Sequence, residues 1–112
     1  METHFILDER GEPVVAADLD HWASWLETAY LGVARSIVTP DVVVVTMFVP
    51  VHVGEEAEAP LPFVTCIFGG ILDGDERRSS SRIEALATHH SVVEWCRTGE
   101  ALEKATSLDN AA

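Results

Sequence analysis

The stretch Phe63-Val64-Thr65-Cys66-Ile67-Phe68-Gly69-Gly70-Ile71-Leu72-Asp73-Gly74 decides how this chain folds. A run from about Leu61 to Phe68, rich in aromatic and β-branched types, suits a pleated strand, and the glycines that follow punctuate a turn. The reading is a central strand of a small sheet, ending at Gly69-Gly70, with Asp73-Gly74 as a second turn signal. Glu76-Arg77-Arg78 then supplies a short edge strand whose charges discourage further pairing.

Upstream, Thr39-Pro40-Asp41 reads as a turn, and Val42 to Val49 as an unbroken apolar run rich in β-branched residues. Its alternating faces, Val42-Val44-Thr46-Phe48 and Val43-Val45-Met47-Val49, are both apolar, so each needs cover. Only two good helices are available to cover them. This mismatch leads us to expect a homodimer.

Between these strands, Gly54-Glu55-Glu56-Ala57-Glu58-Ala59-Pro60 reads as an acidic loop. Nearer the start, His4-Phe5-Ile6-Leu7, the turn Asp8-Glu9-Arg10-Gly11 and the return at Val14-Val15 read as a hairpin, with Pro13 placing the return at an edge.

Helical spacing appears at Leu19, Trp22, Leu26, Ala29 and Val33, with Trp25 and Tyr30 widening the stripe. Asp18 is the expected N-cap and Arg35 the expected end. A second helix begins at Ser81-Arg82-Ile83-Glu84, a capping box, with Ile83, Leu86, His90, Val93 and Arg97 along one face, Cys96 beside it and Gly99 as its stop.

The predicted fold is therefore α+β: a small, mainly antiparallel sheet of three to four strands with two helices packed on one face. The strands named for it are the N-terminal segment, the valine run and the Phe63 strand. One domain spans residues 1–99, and residues 100–112 form a tail, partly helical or frayed.

Charge narrows the function. Of 112 residues, 19 are Asp or Glu and 7 are Lys or Arg, for a formal net charge of −12. Long-range repulsion disfavours direct nucleic-acid or anionic-membrane binding and favours a basic protein partner. No apolar run approaches the roughly 18 residues of a membrane span, and the first residues do not read as a secretory signal, so the expected location is the cytoplasm. Two cysteines, Cys66 and Cys96, are too few for a disulfide framework.

No catalytic, cofactor or metal residue is assigned. His90 and Glu94 have helical spacing, with His89 and His52 as further candidates, but spacing alone does not make a zinc site. Cys66 has nothing beside it in sequence to lower its pKa. Two groups of residues are candidates for binding. Arg77, Arg78, Ser80, Ser81 and Arg82 place cations and hydroxyls at a helix start, suited to an anion. Trp22, Trp25, Glu55, Glu56 and Glu58 form a candidate partner surface, aromatic and acidic.

The words Trp22-Ala23-Ser24-Trp25-Leu26-Glu27-Thr28-Ala29, then Val45-Thr46-Met47-Phe48 leading to His52, then Phe63 to Gly74, resemble a family of small tailed-phage and prophage proteins with W-x-x-W-[FL]-E-T-A and F-E-T-x-[VI]-F-G-G-x-x-D-G motifs. The chain departs from that pattern at Val64, where the family has glutamate, at Arg78, where it has tyrosine, and at Thr88, where it has glycine before His89. The resemblance implies a mobile-element origin and a shared fold and carries over no catalytic residue. The expected function is that of a non-enzymatic phage accessory protein acting through protein–protein interaction, with an acidic nucleic-acid mimic as its sharper form. The alternatives are a virion structural or assembly component and a small anion- or nucleotide-binding protein.

Overall fold

The computed structural model describes residues 2–54 and 60–111, with side chains described as far as residue 98. The fold is α+β, with two helices and two antiparallel sheets.

The Phe63 stretch forms β6 (Phe63–Phe68) in a four-stranded sheet. The valine run forms β4 (Val42–Phe48), paired antiparallel with β6 from Val43↔Phe68 to Phe48↔Phe63. β7 (Glu76–Ser79) lies on the far side of β6, and β3 (Gly32–Thr39) on the far side of β4, giving the order β3-β4-β6-β7.

The glycine turn between β6 and β7 is tight. Gly69 has φ +90°, and a Cβ there would collide with the Asp41 carbonyl oxygen, so only glycine fits. Its amide donates to Asp73 Oδ1 at 2.6 Å, which ties the turn closed.

The N-terminal hairpin, β1 (Glu2–Leu7) and β2 (Pro13–Val15), forms as predicted, with Gly11 in the left-handed region. Asp8 Oδ1 accepts from the Arg10 and Glu12 amides. The hairpin does not join the valine strand, however. It pairs with β5 (Val51–Val53) in a separate sheet of order β2-β1-β5, because Pro50 breaks the chain after β4 and starts a new strand.

The first helix, α1 (Leu19–Thr28), is shorter than predicted. Asp18 caps it, accepting from the His21 amide at 2.7 Å. Its backbone turns extended at Ala29, and residues read as its last turns form β3. The reason lies in Gly32 and in the β-branched run Ile37-Val38-Thr39, which suit strand better than helix.

The second helix, α2 (Arg82–Ala111), starts as predicted, with Ser81 Oγ accepting from the Glu84 amide at 3.2 Å. Glu84 does not complete the box; its carboxylate accepts from Ser80 Oγ instead. The helix continues through Gly99, the predicted stop.

Its buried face also differs from the predicted one: Ala85, His89, Val92, Val93 and Cys96 are buried, whereas Ile83 is 80% exposed. Ala85 is the residue that lets α2 come close enough to pack with Phe48, Phe63 and Phe5, and a bulkier residue would hold it away.

Alternation divides the four-stranded sheet into two faces. Val42, Val44, Thr46 and Phe48 of β4, with Phe63, Thr65 and Ile67 of β6, are buried on the side of α2. Burying such side chains stabilises by roughly 1.5–3 kcal/mol each, which makes this face the main core. Both helices serve it, α1 only at its edge, where Trp25 meets Phe48 edge-on at 5.8 Å. Val43, Val45, Met47, Cys66 and Phe68 point the other way.

Candidate functional site

The predicted arginine and serine corner is divided among three places. β7 alternates, so Arg77 turns toward α2, where its guanidinium lies 4.8 Å from the Trp95 ring centroid and Nε bonds Asp75 at 3.3 Å. Arg78 faces the opposite side, in register with Val64. Arg82 reaches back to the N-terminal hairpin, its amide 3.5 Å from Glu12 Oε2 and its side chain against Gly11. Ser80 and Ser81 are occupied with Glu84. The fold does not gather these five residues around one point.

Trp22 and Trp25 are half-buried and hold α1 in place. Trp22 Nε1 donates to the Pro50 carbonyl at 3.2 Å and the ring meets His4 edge-on. Trp25 packs on the Phe5–Phe48–Phe63 cluster. Glu55, Glu56 and Glu58 lie outside the described residues.

A polar seam that sequence spacing did not reveal crosses the core. His89, 7% exposed, places Nε2 at 2.9 Å from Ser36 Oγ and Nδ1 at 2.8 Å from Thr46 Oγ1, and Thr46 Oγ1 lies 2.7 Å from Thr65 Oγ1. Thr46 and Thr65 stand in sequence words quoted above, while His89 entered there as a possible metal ligand, and no sequence spacing links the three. The seam has the outline of a nucleophile, a base and an orienting group. Its orienting group is a hydroxyl rather than a carboxylate, which leaves no charge to stabilise an imidazolium. Neutral imidazole satisfies both neighbours in either tautomer, and burial, with His90 alongside, lowers the His89 pKa. The arrangement specifies how α2 docks on the sheet.

His90 and Glu94 project to solvent, Glu94 toward Arg97. Among the described residues, no three His, Cys, Asp or Glu side chains come together as a metal site. Cys66 is half-buried, and its thiol pKa is raised, first by burial and then by the Glu76 carboxylate, which makes the thiolate scarce and the thiol a slow nucleophile.

A cavity of about 600 Å³ lies where β4 leaves the large sheet. Its apolar wall is formed by Val49, Val51, Val53, Leu61 and Pro62, and its polar groups come from His52 and Arg78. His52 Nε2 is buried without a hydrogen-bond partner among the described residues.

A further surface feature is the face of the four-stranded sheet turned away from α2. No helix lies on it among the described residues, and Ile37 is 62% exposed, Phe68 54% and Met47 39%, whereas Val64, in register with Met47, is buried at 8%. Val43 and Val45 sit half-buried between them. Isolated exposed apolar residues are ordinary, and here Ile37, Met47 and Phe68 share one sheet face.

These features define an α+β domain with one covered and one open sheet face. No protein-family model, no curated protein and no solved structure matches the chain at a significant level. No helix among the described residues is long and apolar enough to cross a membrane.

Proposed function

We propose that this chain is a non-enzymatic accessory protein of phage or prophage type that acts in the host cytoplasm by binding other proteins. The observation that carries the reading is the open apolar face around Val43, Val45, Met47 and Phe68, which burial by a protein partner would stabilise. Affinity purification from infected or lysogenic cells with the wild-type chain and with Val45→Asp as baits tests it. Proteins recovered by both baits alike do not use this face, and a wild type that enriches nothing over the variant removes the reading.

The sharper form, an acidic mimic of nucleic acid, draws its support from a different set of residues. Asp8, Glu9, Asp18, Asp20 and Glu27 are all exposed on the hairpin turn, the α1 N-terminus and α1. Carboxylates so arrayed compete with phosphates for a basic groove. Binding to such a partner weakens steeply as salt rises; salt-insensitive binding counts against mimicry.

A small-anion reading is favoured by the cavity in which Arg78 and His52 stand among apolar walls. Titration calorimetry with octanoate and with inorganic phosphate tests it. The reading expects binding that Arg78→Ala removes, and no heat from the wild type with either probe ends it.

A further inference from the structure

We infer that the open face of the four-stranded sheet is a self-association surface, on which a second copy of this chain packs face to face about a two-fold axis parallel to the strands. The inference rests on the reading that this face binds protein, and it names the partner.

Charge selects the partner. The chain carries a net −12, yet the four strands of this sheet contain one acidic residue, Glu76. Glu76 is on the open face, in register with Cys66 and with its carboxylate 4.0 Å from the Cys66 thiol. Two arginines share that face, Arg35 in register with Val45 and Arg78 in register with Val64. The open face is therefore almost neutral within an acidic protein. A basic partner, drawn to the remainder of the molecule, finds no complement here, whereas a surface of the same composition does.

Register selects the geometry. Arg35, Val45, Cys66 and Glu76 form one row across β3, β4, β6 and β7, positive at one edge, apolar in the middle and negative at the other edge. A two-fold axis parallel to the strands lays β3 of one copy over β7 of its partner, and β4 over β6. Arg35 then faces Glu76 of the partner subunit, Glu76 faces Arg35 of the partner subunit, and Val45 faces Cys66 of the partner subunit. An in-plane axis across the strands instead sets Arg35 over Arg35 and Glu76 over Glu76, which is repulsive.

In the neighbouring row, whose Val64 is already buried at 8%, the edge residues bear on the geometry. It runs Gly32, Met47, Val64, Arg78, and the Tyr30 ring occupies the space where a Gly32 side chain would sit. The same axis brings Arg78 against that ring in the partner subunit, a cation–π arrangement.

The size of the face sets the strength. Four strands about 4.8 Å apart and about 20 Å long give a footprint of roughly 400 Å² per copy, about half the standard size for a specific interface and in the range of weak, transient contacts. Association on so small a face is expected to be weak and reversible, at micromolar protein concentrations or above.

Sedimentation velocity from about 1 to about 200 μM, concentrations that span this range, tests the assignment on wild type, Arg35→Glu, Glu76→Arg, the double swap and Val45→Asp. We expect a monomer–dimer equilibrium for wild type, at least about tenfold weaker with either single swap. The double swap restores it, and Val45→Asp is monomeric. Circular dichroism checks that each variant is folded; should Val45→Asp fail to fold, the swaps at exposed Arg35 and Glu76 decide.

A wild type that stays monomeric throughout overturns the second copy as partner. The broader protein-binding reading fails separately, when Val45→Asp captures the same foreign proteins as wild type. A dimer indifferent to all four variants overturns the face, and single swaps that weaken without rescue in the double overturn the axis.

Discussion

The two faces of the four-stranded sheet are built from nearly the same residue types and meet opposite fates. On β4, Val44 and Val45 are adjacent valines; Val44 is fully buried beneath α2, while Val45 looks out from the sheet. Composition does not distinguish them. What does is α2, which places Ala85, Val92, Val93 and Cys96 on one side and leaves the other to whatever the protein meets. Apolar alternation thus reports that a strand is sandwiched, without saying by what.

The largest way to break this comparison is to place a carboxylate on each face. Val44→Asp buries a charge with no partner, at a cost of about 4–5 kcal/mol or more, comparable to the whole stability of a small domain. Val45→Asp leaves its carboxylate at the surface of the monomer and costs about 1 kcal/mol. Urea unfolding followed by tryptophan fluorescence separates them. Equal loss from both substitutions would show that the open face is packed within the monomer.

Aromatic truncation sharpens the contrast within β6. Phe63 is fully buried between Phe48 and Ala85, and Phe63→Ala costs about 3–5 kcal/mol through lost burial and the cavity left behind. Phe68, at the other end of the strand and more than half exposed, costs under about 1 kcal/mol as alanine when the protein is dilute. Its effect grows with protein concentration if a second copy covers it.

The strands β4, β6 and β7, the first hairpin and both helix starts were legible in the sequence because each is marked locally. β-Branched runs, Gly11, Gly69, Asp18 and Ser81 act within a few residues of themselves. β3 was not legible, since Ala29 and Val33 continue the spacing of Trp22 and Leu26 by coincidence, and only pairing with β4 makes residues 32–39 a strand. The buried face of α2 was misread for a related reason. Large apolar residues such as Ile83 and Leu86 advertise burial, but close approach to a sheet selects the small Ala85, and hydroxyls on β3 and β4 select His89. The arginine corner likewise looked like one cluster because neighbours in sequence on a strand point to opposite faces. The open face was foreshadowed by two apolar faces and too few helices.

The polar seam gives the inner face a pH dependence that the outer face lacks. Burial lowers the His89 pKa, so the unfolded chain binds a proton that the folded chain refuses. Stability contributed by this group is complete well above the unfolded value of about 6.5 and declines as pH falls through it, continuing down to the folded pKa, by at most about 1.4 kcal/mol per pH unit. His89→Gln flattens the curve between about pH 5 and pH 7, where the ordinary carboxylates are already ionised. Thermal melts across that range read it out, and an unchanged slope in the variant would assign the dependence elsewhere.

The smallest effect uses the two thiols as reporters of the two faces. Cys96 lies 1% exposed on the sheet-facing side of α2, and Cys66 is half-buried in the open row beside Glu76. A disulfide reagent therefore modifies Cys66 first and reaches Cys96 only through opening of the fold. Cys66 is itself slow, because burial and then the Glu76 charge hold its pKa up and keep the thiolate scarce at neutral pH. Glu76→Gln removes the second cause and speeds labelling about twofold to threefold near neutrality, with the gain vanishing at a pH where the thiol is fully ionised. Raising the protein concentration slows Cys66 but not Cys96 when a second copy covers the row. Labelling of Cys96 at the rate of Cys66 would mean that α2 does not seal the inner face, and the distinction between the faces would fall with it.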